Sequence, residues 1–379
     1  MLLDPEGIAN PKGQVLVEGG RIRALLGPDD PVPGESRPID LRGRALAPGF
    51  IDLHTHGSAI FHDADRLDDA LRADSALYVR HGVTAYLITT IARPLTQLRQ
   101  RVKQLASWSA ESAAAAAVPL GIHLEGPWIS SGAAGAQPTD GIASYNARHD
   151  AELFELAEGR VRMVTLAPEV EGAPALLAEL GRRGIVAALG HSLAGAETVS
   201  EAVAQGASHV THLFNAMGSF HHRAPGLAGV ALGDDRLSCD LICDGAHVHP
   251  GAVAAAARAK GPRLALISDR IEPPEGAQVA SPFGSGRPIL HDGVAWRLDD
   301  GRLAGSRVGL DVALRNLRRF AGASPLEAIA ACTLRPARVL GIEAERGTLR
   351  PGARADFVVL DAELQHRETW IGGRRVYRV

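Results

Sequence analysis

Cysteine is scarce in this chain, with three residues, Cys239, Cys243 and Cys332, among 379. An odd and widely spaced set cannot cross-link a protein of this size, so we expect no disulfide framework. Low cysteine use is typical of reducing compartments, which favours a cytoplasmic location. Cys239 and Cys243 share one face of an apolar run, where we expect core packing rather than metal ligation.

Other absences exclude whole classes of function. Positive charge is not in excess, because 40 Lys and Arg stand against 43 Asp and Glu, and a nucleic-acid partner needs a basic surface. No apolar run reaches about 18 residues without a charge, so we expect no membrane span. The opening letters, MLLDPEGIANPKG, lack the basic and apolar regions of a signal peptide. A hydrophobic content of 46% suits a globular protein with one large domain, or with one large and one small domain.

The two ends of the chain share one pattern. Alternating hydrophobicity broken by Gly and Pro marks QVLVEG, GRIRALLG and RPIDLRGRALAP near the start, and GTLRPGARADFVVLD and HRETWIGGRRVYRV near the end. Chain termini of a domain often meet, so we expect residues 1–47 and 345–379 to form one small β-sandwich domain. The alternative is a pair of unrelated extensions at separate edges.

Between the ends, short apolar runs alternate with helical patterns. The runs are FIDLHTH, VTAYLITT, PLGIHLEG, RMVTLAP, IVAALGHS, SHVTHLF, LSCDLICDG and RLALISD. Strands that alternate with helices predict a parallel sheet and an α/β fold. Eight such strands can close into a barrel, so we expect residues 48–344 to form a TIM-like (β/α)8 barrel domain. Near its end we expect a loop or hairpin over 269–305 and helices at 310–320 and 325–339.

Histidine is the abundant chemical group, and it is clustered at the ends of these runs. His54 and His56 close FIDLHTH, and on a strand they point to the same side as Asp52. Adjacent neutral imidazoles are common metal ligands. The alternative is a hydrogen-bonded pair of interior histidines.

Three further residues complete a candidate metal site. Glu125, within the apolar run of GIHLEGPW, is expensive to bury unless it is paired or ligated, and no Lys or Arg lies near it in the sequence. His191 and His212 end runs that are one α/β unit apart, which places them on neighbouring strands. Two His and one carboxylate are the ligands of catalytic rather than structural zinc. His209, three residues before His212, is interpreted as structural.

Asp269 ends RLALISD, the eighth run, at the mouth of the predicted barrel. A carboxylate there can accept a proton from an activated water and pass it on. The alternatives are a helix cap or an ion pair with Arg270. Arg223 and His247 are candidates for binding an anion, since a guanidinium offers a planar fork to phosphate. For these two residues, a surface charge and a loop histidine remain the alternatives.

These motifs resemble a known family. The HTH pair and the closing Asp resemble the amidohydrolase superfamily, and HLEGPW, LGHS, THLFNAM, DGAHVHP and GTLRPGARADFVVLD resemble its N-acetylglucosamine-6-phosphate deacetylases. The resemblance covers nearly the whole chain. It implies hydrolysis of the acetamide of an amino-sugar phosphate, most specifically N-acetylglucosamine 6-phosphate, by a homodimer in which an arginine reaches over from the neighbouring subunit.

The resemblance also implies roles for individual residues. Glu125, His191 and His212 would hold the main divalent ion, with zinc favoured and iron, manganese, cobalt or nickel as alternatives. His54 and His56 would hold a second ion or stand where single-metal members lack them. Asp269 would be the general base and then the acid. The residues that would receive the sugar phosphate are Asn215, Ala216, Arg223 and His247.

Two positions depart from the family pattern and leave other functions open. Gln137 stands in GAQP where members usually carry a carbonyl-polarising His, and it can donate a hydrogen bond but no charge. Arg270 follows the base where a small residue is usual, and we expect it to keep Asp269 ionised. The alternatives are therefore another N-acyl or cyclic amide substrate, or a non-catalytic barrel that binds metal or sugar.

Overall fold

The computed structural model describes residues 1–6, 8–10, 12–62, 64–110, 116–273 and 289–379. Its strands in chain order are β1 (Leu2–Asp4), β2 (Ile8–Asn10), β3 (Gln14–Glu18), β4 (Arg21–Leu26), β5 (Ala45–Pro48), β6 (Phe50–Thr55), β7 (Val83–Thr89), β8 (Val118–Glu125), β9 (Val161–Leu166), β10 (Val186–Leu189), β11 (His209–Val210), β12 (Ser238–Ile242), β13 (Leu264–Ile267), β14 (Ile289–His291), β15 (Ala295–Leu298), β16 (Leu303–Ser306), β17 (Phe357–Leu360), β18 (His366–Ile371) and β19 (Arg374–Arg378).

Helices connect these strands. The α-helices are α1 (Leu67–Tyr78), α2 (Leu95–Ala110), α3 (Ala147–Leu156), α4 (Ala173–Arg183), α5 (Ala196–Ala204), α6 (Gly226–Gly233), α7 (Pro250–Lys260), α8 (Leu310–Ala321), α9 (Pro325–Cys332) and α10 (Leu334–Val339). Short 3-10 helices lie at Ala59–Phe61, Ala64–Arg66, Val79–His81, Ser131–Ala133, Thr139–Gly141 and Gly261–Arg263. Among the described residues, no helix is long and apolar enough to cross a membrane.

Strands β6 to β13 form one parallel sheet in which every strand lies beside its neighbours in the sequence. An α-helix follows each strand, and the eight predicted runs are all present. The sheet nearly closes into a TIM-like barrel, because the backbone after β13 bonds back to β6. Asp269 N donates to His54 O at 2.9 Å, and His56 N donates to Arg270 O at 2.9 Å. The barrel prediction is therefore confirmed.

The barrel is packed inside as well as outside. Inward side chains of its strands form one buried cluster that includes Leu53, Leu87, Met163 and Ile242. Cys239 and Cys243 point the other way, into the larger cluster between strands and helices. Parallel strands that are buried on both faces have continuous apolar sequences. A polar residue within such a sequence is therefore an exception that indicates a specific role.

The two ends of the chain meet in one six-stranded sheet of order β19-β18-β17-β5-β1-β2, as predicted. Val358 of β17 pairs antiparallel with Ala47 of β5, and β5 pairs parallel with β1. Strands β3 and β4 form a separate two-stranded sheet. The finer prediction of a β-sandwich is thus not established by the strand pairing.

Two later elements differ from the sequence-based expectation. The helix predicted at 325–339 is two helices, because Thr333 leaves helical geometry with φ −133° and ψ −81°. Within the segment after Asp269, β14, β15 and β16 form a three-stranded antiparallel sheet rather than a single hairpin. Residues 274–288 of that segment lie outside the described residues.

Candidate metal and catalytic site

The carboxyl ends of the barrel strands bring six predicted side chains together. His54 and His56 lie at the end of β6, Glu125 ends β8, and the others follow later strands: His191 after β10, His212 after β11 and Asp269 after β13. In a barrel these ends open on one face, where active sites are built. The five candidate ligands are at most 5% exposed, so their polar atoms must satisfy one another or a bound ion.

Glu125 is the centre of the cluster. Its Oε1 lies 3.0 Å from His212 Nε2 and 3.1 Å from His191 Nε2. Its Oε2 lies 3.3 Å from His56 Nε2, and Oε1 is 3.4 Å from His54 Nε2. Two sets of potential ligands result, His54–His56–Glu125 and Glu125–His191–His212, and they share this carboxylate. The geometry therefore offers positions for one ion or for two.

The donor set fits a divalent transition metal. His191 Nε2 and His212 Nε2 are 3.1 Å apart. Two ligand atoms each about 2.0–2.1 Å from a tetrahedral ion lie about 3.3 Å apart, which is close to this spacing. The far ring nitrogens of two histidines are held by backbone carbonyls, His191 Nδ1 by Ala133 O at 2.9 Å and His56 Nδ1 by Thr89 O at 3.2 Å. Such bonds turn the opposite nitrogen toward the metal.

Protons and a metal ion compete for the same nitrogens. Burial lowers the pKa of His56, but hydrogen bonds to Asp269 and Glu125 raise it overall to about 10. Burial likewise lowers the pKa of His212, and its hydrogen bond to Glu125 raises it to about 9. Because a metal ligand must be a neutral imidazole, an ion that enters this cluster displaces protons from it.

Asp269 faces the same space. Its Oδ1 lies 3.3 Å from both His54 Nε2 and His56 Nε2. Burial raises the pKa of this carboxyl, but the charge of His54 and the hydrogen bond from His56 outweigh burial and lower it below its usual range. Asp269 is therefore a carboxylate at neutral pH, the form that can accept a proton.

The expected influence of Arg270 on Asp269 is wrong. The Arg270 guanidinium turns to Glu272, donates to Arg307 O at 2.8 Å and lies 3.2 Å from His81 Nε2. Asp269 and Arg270 both follow the end of β13, and the chain turns at Asp269 with φ 46°, so the neighbour in sequence is not the neighbour in space. The histidines, not Arg270, keep Asp269 ionised.

Three of the site residues have left-handed backbones, which the sequence analysis did not foresee. His191, His212 and Asp269 have φ of 49°, 32° and 46°, and Phe214 and Ala216 after His212 have 80° and 48°. This conformation costs roughly 1–3 kcal/mol for a residue other than Gly and collects at functional sites. A weak signal existed, since His and Asp tolerate it better than most residues.

Gln137 reaches the cluster through Glu125. Its amide nitrogen donates to Glu125 Oε2, and its amide oxygen accepts from Ala92 N at 2.8 Å. Both ends of this buried side chain are thus engaged with protein groups. A primary amide carries two N–H groups, and one of them has a protein partner here.

The other four candidate substrate residues do not belong to either set of potential ligands. Asn215 Nδ2 donates to His212 O at 3.2 Å, and Ala216 O accepts from Ser192 N at 3.1 Å, which ties together the loops after His191 and His212. His247 Nδ1 lies 2.6 Å from Asp244 Oδ2. Arg223 is exposed, and its Nη1 lies 3.0 Å from His222 Nε2.

Asp240 is a functional candidate that the sequence analysis missed. It is fully buried, it accepts the backbone N–H of His212, and its Oδ2 lies 3.0 Å from His209 Nε2. His209 is structural, as interpreted from the sequence, but it supports a site residue. The signal was available, because a carboxylate within the apolar run LSCDLIC is as costly to bury as Glu125 is.

Comparison with known proteins agrees with this architecture. The model of the Amidohydrolase family matches residues 45–376. The chain belongs to the amidohydrolase family. This family member is 37% identical to the N-acetylglucosamine-6-phosphate deacetylase of Homo sapiens, over 96% of this chain and 91% of that protein. It is 34% identical to the N-acetylgalactosamine-6-phosphate deacetylase of Escherichia coli O157:H7, over 95% of this chain and 94% of that protein.

A solved structure extends the likeness to three dimensions. It is an Asp-to-Ala mutant of the Mycobacterium smegmatis N-acetyl-D-glucosamine-6-phosphate deacetylase in complex with N-acetyl-D-glucosamine-6-phosphate. It superposes with a TM-score of 0.85 at 29% identity and covers 99% of this chain and 97% of that one. The resemblance to these deacetylases, first noted in HLEGPW and THLFNAM, is therefore confirmed over the whole amidohydrolase.

Proposed function

We propose that this amidohydrolase hydrolyses the acetamide of N-acetylglucosamine 6-phosphate to glucosamine 6-phosphate and acetate. The observation that carries the proposal is the convergence of Glu125, His191, His212 and Asp269 at one barrel mouth, 3.0–3.4 Å from their neighbours. Relatives that match 95% and 96% of this chain are named as deacetylases of acetylated amino-sugar phosphates.

The proposed metal is zinc, held by Glu125, His191 and His212, because two imidazoles and one carboxylate form an open catalytic zinc set. When bound, such an ion lowers the pKa of a coordinated water from ~15.7 to about 7 and polarises a carbonyl oxygen. His54 and His56 share Glu125 and are proposed to hold a second ion.

Asp269 is the proposed general base and acid. Its carboxylate accepts one proton from the attacking water and returns it to the amine nitrogen as the C–N bond breaks. Water thus adds OH to the acetyl carbon and H to the nitrogen, which balances the reaction. The second amide hydrogen of Gln137 is the proposed donor to the carbonyl oxygen, and it supplies a dipole rather than a charge.

The sugar phosphate is proposed to bind around the cluster. Arg223 from a neighbouring subunit offers the guanidinium fork for phosphate, His247 is a second donor, and Asn215 and Ala216 contribute the loop after His212. N-acetylgalactosamine 6-phosphate is a second candidate substrate, since one relative is named for it. The two sugars differ at one hydroxyl, so the same acetamide chemistry serves both.

We also propose a cytoplasmic homodimer in which Arg223 serves a neighbouring subunit. The free and buried state of Cys239, Cys243 and Cys332 agrees with a reducing compartment. Residues 1–47 and 345–379 are proposed to act as one small two-layer β domain beside the 48–344 barrel. In support, Ile22 of β4 shares a buried cluster with Leu2, Phe357 and Trp370 of the six-stranded sheet.

The deciding experiment measures acetate release from N-acetylglucosamine 6-phosphate by the zinc-loaded protein, with its Asp269→Asn variant alongside. We expect turnover in the wild type and a loss of at least 10²-fold in the variant, because general acid-base catalysis contributes about 10²–10⁴. The variant should retain zinc. If the zinc-loaded wild type releases no acetate from either epimer, the proposed substrate class is wrong.

A further inference from the structure

His212 and His54 differ from the other two histidine ligands in how their rings are held. His191 and His56 each bond a backbone carbonyl through Nδ1. The Nδ1 atoms of His212 and His54 are buried, and no partner for either is found among the described residues. Metal-ligating histidines are normally oriented through this second nitrogen. The orientation of His212 must therefore come from elsewhere.

The backbone of His212 is held unusually firmly by one residue. Asp240 Oδ1 accepts the His212 N–H, and Asp240 O accepts from Leu213 N at 2.9 Å. The backbone N–H groups of His212 and Leu213 therefore both donate to Asp240. These bonds hold His212 at φ 32°, a conformation that an L-residue leaves readily without such support.

Asp240 is itself held by a second residue. Its Oδ2 lies 3.0 Å from His209 Nε2, and His209 Nδ1 lies 2.7 Å from Ser238 Oγ. Asp240 and His209 are both fully buried. Replacing a buried polar pair by apolar residues of similar volume often leaves a core at least as stable, so stability alone is a weak explanation for the His209–Asp240 pair.

We propose that Asp240, held by His209, is a positioning residue that aims His212 at the metal through the backbone instead of through the ring. The proposal rests on the proposed function, in which His212 is a metal ligand. It assigns to the chain Ser238–His209–Asp240 the task that Ala133 O performs for His191.

The test measures zinc affinity by competition with a chromophoric chelator, which needs no turnover. Asp240→Leu removes the acceptor for His212 N–H, and we expect zinc affinity to fall about 10–100-fold. Asp240→Asn keeps an oxygen acceptor, and we expect its affinity within about threefold of wild type. Asp356→Ala is the matched control. Asp356 is a buried carboxylate that also accepts a backbone N–H, that of Gly372, and it lies in a part of the chain that holds none of the site residues. This control should lose thermal stability but not zinc affinity.

A second pair of variants, at His209, tests the proposal if the Asp240→Leu protein does not fold. His209→Gln can still donate to Asp240, whereas His209→Leu cannot, so only the leucine variant should lose zinc affinity. Equal affinities within both pairs would overturn the positioning role. Failure of the wild type to bind zinc would instead count against the proposed metal site, so the two failures are distinguishable.

Discussion

At the scale of single residues, Gln137 is the main departure of this chain from the pattern of the deacetylases that it resembles. The structure gives its amide two protein partners, Glu125 Oε2 and Ala92 N, before any substrate is considered. A charged imidazole at this position would add a positive charge beside the cluster, whereas the amide adds only a dipole. Gln137 therefore supports the carboxylate that both sets of potential ligands share.

We expect Gln137→Met to lower zinc affinity about 10-fold, because removing a hydrogen bond that orients a ligand typically costs 10–100-fold. Glu125 would keep its histidine partners but lose its only amide donor among the described residues. Chelator competition measures the change, and exposed Gln205→Met is the matched control. Unchanged affinity in the Gln137 variant would show that the amide serves the substrate alone.

Residue identities at the site could be predicted from the sequence, whereas their backbone conformations could not. Glu125, His191 and His212 stand out because polar groups are rare in strands buried on both faces. His and Asp tolerate a left-handed backbone better than most residues, but the sequence does not show which of them adopt it, as His191, His212 and Asp269 do. The role of Asp240 could not be assigned from the sequence, because its partners His209 and His212 lie 31 and 28 residues earlier, in and just after β11.

At the scale of elements, helix α9 begins with a capping box that is legible in the sequence. Ser324 Oγ accepts from Glu327 N at 3.3 Å, and the Glu327 carboxylate accepts from Ser324 N at 2.8 Å. Pro325 occupies the first turn, where a missing N–H costs nothing. The end of the same helix could not be predicted from the sequence, because the break at Thr333 lies within a continuous helical pattern.

We expect Ser324→Ala to destabilise the fold by about 1 kcal/mol, the usual cost of losing a side-chain cap. Differential scanning calorimetry at neutral pH measures this as a lower Tm. Ser200→Ala is the control, since Ser200 lies inside α5 and its Oγ donates to Ala196 O, four residues earlier. An equal loss in both variants would contradict a specific role for the cap.

The same capping box predicts how the stability of the protein changes with pH. The hydrogen bond from Ser324 N–H lowers the pKa of Glu327 below its usual 4.5. A lowered folded-state pKa means that the stabilisation is complete above 4.5 and is lost as the pH falls through the lower value. The difference in Tm between wild type and Glu327→Gln should therefore shrink as the pH is lowered below about 4.5.

At the scale of the whole molecule, one loop carries both an exposed arginine and an exposed aromatic ring. Phe220 is 59% exposed and lies three residues before Arg223. A single exposed apolar side chain is common on protein surfaces, so Phe220 alone does not mark an interface. Its position beside Arg223 makes it the residue to test in the proposed homodimer.

We expect light scattering after size exclusion to give twice the chain mass of 39.8 kDa for the wild type. Phe220→Asp should shift the protein toward monomer, because a charge at an apolar interface must be desolvated. Val32→Asp, at a 45% exposed position near the N-terminus, is the control and should leave the mass unchanged. A monomeric wild type would contradict the homodimer.

The sequence by itself determined the architecture and the identity of the chemical groups. Eight apolar runs separated by helical patterns specify the strands, and periodicity decides which side chains share a face. Tertiary structure alone decided which groups meet: Glu125 with four imidazoles, Gln137 with Glu125, and Arg270 with Glu272 rather than Asp269. The physical reason is that local pattern constrains a residue's own strand, whereas the side chains opposite it come from strands tens of residues away.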